Sequence, residues 1–559
     1  MQFREALTAC GERKIREVHR QMNACIYKNG KIFTSDRENL QAEAMLVEGG
    51  FIRKVGTAEE IEELAPVGCR SVDLQGRRVI PGFVDAHMHP MMLAEYSRQI
   101  SALPPKVNSI SELIEAIREK RKEQGPGKWC MGWGYDEGKF AERRSINRWD
   151  LDQGCSDSPV CIVRTCGHIR CVNSKVLEMA GIDRNTPDPE GGEIERDENG
   201  EPTGVLKENA RNLITPFLPE ENREQTIENL LELGKLLTSQ GIVAVTDMGN
   251  LDEGDNYPLY QAAAEKGFLQ EVGVYYMWDF FMDKEDFHIP EEHFDKKQQI
   301  FVCGLKLIGD GSVSGKTAWM EEPYLDSDSC GISVCTDRQI ETAVAFCKEN
   351  HCQLSMHAMG TRAIARMVDR AAAEEKWNRG EEPYVRIEHI TLPSEDSIRK
   401  AVEKGIGFVT QPIFLYAEIE SYLKNLGTEK MKTCYPIRHL LKQGVKLCLS
   451  TDAPATSWAV PSDPFPNLKG AVTRRAYDHT DCGKEQAVDV ETALILYTKE
   501  AAEMAGFDRL GQLKEGYKAD FVILDRDILK LPAEEIDQVQ AAETYIRGCC
   551  VYTNKTKEQ

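Results

Sequence analysis

The chain has 559 residues, and its 91 acidic against 69 basic side chains give a formal charge of −22. That length implies about three or four domain-sized units with room for a large core, and an acidic surface without a basic stripe excludes nucleic acid as a partner. No stretch approaches the roughly 18 consecutive apolar residues of a transmembrane helix, and Met1-Gln-Phe-Arg-Glu-Ala lacks the apolar core of a signal peptide, so a cytoplasmic protein away from membranes is expected. Eighteen cysteines are scattered through apolar runs with no C-x-x-C pair, which reads as free thiols in a reducing compartment.

Residues 1–21 are expected to be a charged, mildly helical N-terminal extension. From Ala24 to Phe33 the pattern predicts a hairpin around Asn29-Gly30, a favoured type I′ pair, and Ala44 to Val55 repeats the form around Gly49-Gly50. Strand-like runs return at Ala519–Asp525 and Thr544–Thr553. Short strands at both ends, in 22–78 and 506–559, predict one small β-sandwich built from the two chain ends.

Between them, Val79-Ile-Pro-Gly-Phe-Val-Asp-Ala-His-Met-His-Pro90 is an apolar run ending in His87-x-His89. In a strand, residues i and i+2 share a face roughly 7 Å apart, so the two imidazoles can close on one metal ion. The alternative is a surface pair where the strand meets a loop. A helix–Gly–strand phrase then recurs: Ser239-Gln-Gly241 before Ile242–Asp247, Glu403-Lys-Gly405 before Ile406–Gln411, and Lys442-Gln-Gly444 before Val445–Asp452. Gly is the favoured residue just past a helix, and such alternation marks parallel βα units.

The expectation is therefore an α/β chain with a (β/α)8 TIM barrel in 79–90 and 226–505. Its strands are predicted near 79–87, 242–247, 271–277, 302–308, 352–357, 384–389, 406–411 and 446–452. Residues 91–225, with turn signals such as Asp188-Pro-Glu-Gly-Gly192, are too long for one helix and form an inserted domain after strand 1, expected over the barrel mouth.

Barrel chemistry sits at the C-terminal ends of the strands, and polar residues stand there. His357 ends the fifth strand, His389 the sixth and Asp452 the eighth. Singly, each has a structural alternative: a hydrogen-bonded histidine, or an Asp capping a helix. Jointly, four histidines and an Asp converge on one mouth. Lys306 lies among Leu305, Leu307 and Ile308, where burial depresses an amine pKa. A neutral amine there can add carbon dioxide to become a bridging carbamate. Pairing with Asp310 or Asp247 is the alternative, and Asp310 is itself a candidate ligand.

The ordered set H-x-H, Lys, His, His, Asp resembles the amidohydrolase superfamily, and the finer text resembles amidohydrolase family 3, which contains N-substituted formamide deformylase. Gly132-Trp-Gly-Tyr-Asp-Glu137, Gly167-His168, Asp310-Gly-Ser312, Gln411-Pro412, Ser450-Thr-Asp-Ala-Pro454 and Gly516-Tyr-Lys-Ala-Asp520 carry the likeness from about Asn23 to Asn554. The resemblance implies His87 and His89 on one metal, His357 and His389 on a second, a carboxylated Lys306 between them, and Asp452 as metal contact and proton shuttle. One or two divalent ions, zinc foremost, are the implied cofactor. Two departures stand out. Gly360-Thr361-Arg362 replaces the usual Gly-Asp-Arg, and Ser450-Thr451-Asp452 replaces Gly-Ser-Asp while keeping the Asp.

Such a site predicts metal-dependent hydrolysis of a carbon–nitrogen bond, an exocyclic amide or formamide of a small molecule. Asp452 would take the proton from water and pass it to the leaving nitrogen. His168 is a candidate for holding the substrate carbonyl, and Trp133, Tyr135, Trp319 and Arg362 for lining its pocket. An esterase or lactonase with the same metals, a metal-assisted isomerase or lyase, and a barrel that binds without turnover are the other readings. Exposed sandwich edges often pair, which makes a homodimer a candidate assembly.

Overall fold

The structure is a computed structural model and describes residues 24–165, 169–219, 222–249 and 253–554. It divides into two compact units, one of residues 1–89, 234–452 and 462–559, the other of 90–233 and 453–461. No described helix is long and apolar enough to cross a membrane, and every described cysteine is a free thiol.

The first unit holds an eight-stranded parallel barrel: β1 (Phe83–Met88), β2 (Ile242–Asp247), β3 (Glu271–Met277), β4 (Ile300–Ile308), β5 (Gln353–Ala358), β6 (Val385–His389), β7 (Gly407–Thr410) and β8 (Lys446–Leu449). Neighbours pair in chain order. The seam between β8 and β1 is bridged instead by the Asp452 amide, which donates to the His87 carbonyl at 2.8 Å. Beside it the buried Asp85 carboxylate accepts from Thr451 Oγ1 at 2.6 Å and Tyr497 Oη at 2.8 Å. The helices end as their glycines dictate: Gly405 and Gly444 are left-handed caps at φ 68° and 82°. Ile227, Leu230, Leu233 and Leu237 form the buried stripe of the helix Arg223–Ser239.

The predicted first strand is two strands. Arg78–Pro81 belongs to a terminal sheet, and the chain enters the barrel after Gly82, where a Cβ would sit 2.5 Å from Val243 side-chain atoms. The terminal sheets confirm a sandwich built from both ends. Phe521–Leu524 pairs antiparallel with Arg78–Pro81, and Tyr27, Ile32, Met45, Phe521 and Tyr545 share one core. The hairpin at Gly49-Gly50 is present. The one at Asn29-Gly30 is not: Cys25–Lys28 and Lys31–Phe33 lie in different sheets. Asn29 takes the left-handed turn at φ 58°, but a Cβ on Gly30 would meet Leu74, so the turn carries the chain between layers rather than back along one.

The second unit is a six-stranded mixed sheet running from Gly192–Arg196 to Ile100–Ser101. The helix Ile110–Gln124 packs Leu113 and Ile117 into its core. Residues 453–461, which directly follow Asp452, belong to this unit, a connection the sequence pattern did not suggest.

Candidate metal centre

β1 places His87 at its buried end, 1% exposed. Asp452 follows β8 at φ 57°, and His389 ends β6 at φ 75°. Left-handed backbone is costly for residues other than glycine and clusters at functional sites. At His389 it has a direct use. Successive strand side chains should face opposite ways, yet with this turn both Glu388 and His389 reach the His87 ring. The Glu388 Oε2 lies 2.5 Å from His87 Nδ1, and the His389 and His87 ring centroids are 4.9 Å apart. No helix begins at Ala453; the next starts at Pro464 with Asp463 as its cap. The helix-capping alternative for Asp452 therefore falls.

His87, His389 and Asp452, all buried, each offer a ligand atom, and these atoms lie within 4.8 Å of one another. Asp452 Oδ1 is 3.2 Å from His87 Nε2 and 3.4 Å from His89 Nε2. Burial alone would raise the Asp452 carboxyl, but the facing His87, His89 and His389 rings hold it well below the usual carboxylate range. Burial lowers His89, yet Asp452 and the Gly249 carbonyl outweigh it and leave that ring raised. His389 is pushed well down by burial and by His357.

Each ring has one nitrogen committed. His89 Nδ1 meets the Gly249 carbonyl at 3.1 Å, and His389 Nδ1 meets Gln411 Oε1 at 3.0 Å. His357 is turned the other way. Its Nε2 meets the Gly311 carbonyl at 3.1 Å and lies 3.4 Å from Asp310 Oδ1, although its ring is 4.3 Å from that of His389. It borders the cluster without joining it.

Lys306, on β4, is 1% exposed, and its Nζ makes no hydrogen bond among the described residues. Burial lowers its pKa to about 8 against the pull of Glu388 and Asp452. Neither expected partner takes it. Asp310 accepts from the amides of Met359, Gly360 and Trp319 at 2.8–3.0 Å, and Asp247 accepts from the Gly249 amide, Asn256 and Tyr260. Asp310 is thus committed to shaping the loops after β4 and β5 and is no free ligand.

The candidate substrate contacts fare unevenly. Trp319 and Arg362 line a groove of about 830 Å³ with Leu392, Ile398 and His439, and none of the four site histidines borders it. Thr361 accepts from the Glu321 amide at 2.7 Å. Tyr135 is fully buried in the core of the second unit, and Trp133 stacks on Tyr96 there at 5.1 Å. Tyr135 is therefore core rather than pocket wall. His168 lies outside the described residues.

Sequence reasoning missed the groups behind the ligands: Glu388, Arg386, Ser355, Gln411 and Asp85. A signal existed in Arg386-Ile-Glu388, where two charges at i and i+2 inside a buried strand require an internal ion pair.

A profile of the amidohydrolase family matches residues 70–552. The chain belongs to that family. This amidohydrolase is 28% identical over 541 residues to the putative amidohydrolase YtcJ of Bacillus subtilis, covering 94% of this chain and 99% of that protein. It is 26% identical over 551 residues to the N-substituted formamide deformylase of Arthrobacter pascens, covering 95% and 99%. The crystal structure of an uncharacterized metal-dependent hydrolase from Pyrococcus horikoshii matches the amidohydrolase with a TM-score of 0.71 at 26% identity, over 91% of this chain and 99% of that one.

Proposed function

We propose that this amidohydrolase hydrolyses a carbon–nitrogen bond of a small molecule, a non-peptide amide or an N-formyl or N-acyl group. In this reading a divalent metal ion is held by His87, His389 and Asp452. The observation that carries it is the buried His87–His389–Asp452 cluster with its donor atoms within 4.8 Å. The residues fit such an ion. With Nδ1 of His87 engaged by a carboxylate, its Nε2 is the nitrogen left facing Asp452 Oδ1 at 3.2 Å, a buried oxygen with no hydrogen-bond partner. A metal cation can take the place of a proton between these two atoms. Two imidazoles and a carboxylate are borderline donors that suit zinc.

When bound, a divalent ion brings the pKa of water toward neutrality and polarises a carbonyl. Asp452, kept ionised by the surrounding imidazoles, is the group that takes the proton from water and returns it to the departing nitrogen. Lys306, buried and without a hydrogen-bonding partner, is the candidate to carry a carbamate, formed when its neutral amine adds carbon dioxide and releases a proton. The formamide deformylase relative supports amide over ester chemistry.

The test is metal analysis of protein purified without chelators, followed by turnover of N-formyl, N-acyl and ester substrates before and after metal removal. Metal-dependent release of amine supports the reading. Turnover that survives metal removal, or is confined to esters, overturns it.

A further inference from the structure

Behind the ligand cluster lies a buried polar assembly that the proposed chemistry leaves unused. Glu388 is fully buried, as are Arg386 and Ser355. One of its oxygens accepts from Arg386 Nε at 2.5 Å and Ser355 Oγ at 2.8 Å. The other meets Arg386 Nη2 at 2.9 Å and His87 Nδ1 at 2.5 Å. Arg386 in turn donates to the Ala86 carbonyl, next to His87, and to Tyr275 Oη at 3.3 Å.

We infer that Glu388, clamped by Arg386 and Ser355, is the positioning residue that fixes the His87 ring with Nε2 directed at the metal; this rests on the metal site proposed above. A carboxylate without its proton only accepts, so the atom facing it must be an N–H. Glu388 already receives two donors of Arg386 and the hydroxyl of Ser355, the environment of an ion-paired carboxylate. His87 Nδ1 therefore carries a hydrogen, and Nε2 is the nitrogen left facing Asp452 and open to a metal ion. Arg386 supplies what makes this durable. Its two contacts on the carboxylate restrain Glu388 from rotating, and its bond to the Ala86 carbonyl ties the assembly to the strand that bears His87. Carboxylates that orient metal-binding histidines typically contribute 10–100-fold in metal affinity.

The experiment measures zinc affinity by competition with a chromophoric chelator for wild type, E388Q and S355A. Glutamine retains the shape and one acceptor oxygen, but its NH2 must then face donors of Arg386 with either Ser355 or His87, so the full set of contacts cannot be kept. A dissociation constant raised about 10–100-fold in E388Q, with a much smaller rise in S355A, supports the inference. Unchanged affinity in a folded E388Q overturns it and leaves the metal site standing, whereas a wild type that binds no zinc removes the metal site itself. Should E388Q fail to fold, ¹⁵N spectra of histidine-labelled metal-free wild type, assigned with H87N, decide. A proton on Nδ1 of His87 supports the role, and a proton on Nε2 alone overturns it.

Discussion

His87 and Asp452 meet twice: the Asp452 amide donates to the His87 carbonyl at 2.8 Å, and the Asp452 carboxylate lies 3.2 Å from His87 Nε2. The contact that closes the barrel seam also sets the distance between two proposed ligands. Fold stability and site geometry are therefore coupled where β1 meets β8.

Asp452→Asn tests the proton-transfer role. Asn keeps the shape and one acceptor but takes no proton at neutral pH. General acid–base catalysis contributes typically 10²–10⁴-fold, so kcat should fall by about that factor in metal-loaded protein. A kcat near that of wild type would refute the assignment.

Tyr497→Phe tests the seam. It removes the 2.8 Å bond to buried Asp85, and hydrogen bonds to charged groups contribute about 1.5–3 kcal/mol. A lowered thermal midpoint is expected, with a parallel loss of metal affinity. An unchanged midpoint would show that Thr451 and the His87 amide hold Asp85 without Tyr497.

Lys306→Met separates function from stability. The wild-type amine is buried without a hydrogen-bond partner, and apolar replacements of buried charge are often neutral or stabilising by roughly 1–4 kcal/mol. Compared metal-free, the variant should melt at or above wild type; supplied with metal, it should lose turnover. A variant that melts lower and remains active would contradict the proposal for Lys306.

Asp520 predicts a pH dependence away from the centre. It is 3% exposed, and burial, reinforced by Glu271, raises its carboxyl to about 7 against the opposing Arg547 amide and the charges of Arg547 and Lys518. The unfolded chain releases that proton near pH 4. Between about pH 4 and 7 the folded state therefore holds the extra proton, and stability falls as pH rises, levelling off above 7. The stability of Asp520→Asn relative to wild type should increase across that window. A difference independent of pH, measured by thermal melts at pH 4.5 and 7.5, would remove Asp520 as its source.

The barrel was legible because its signals are local. Gly405 and Gly444 announce helix ends, and the short apolar strands that follow them end in polar residues, so the barrel could be placed from that recurring pattern, although its first predicted strand spans two. His87, His389 and Asp452 followed from their positions at strand ends. What escaped depended on dihedral angles or distant partners. The left-handed backbone at His389 lets that ring join Glu388 beside His87, 301 residues from Glu388 in sequence, which alternation along a strand would not suggest. The transfer of Lys31–Phe33 to another sheet was hidden because Asn29-Gly30 suits a hairpin and a layer crossing equally. Tyr135 looked like a pocket aromatic only because its place in the core of the inserted unit is not a local property.

The most direct measurement is the anomalous difference map of a zinc-loaded crystal recorded across the zinc absorption edge. The account predicts a peak about 2.0–2.2 Å from ring nitrogens of His87 and His389 and from an Asp452 oxygen. A peak bound elsewhere, without His87 and Asp452, or no peak in protein that turns over substrate, would contradict it.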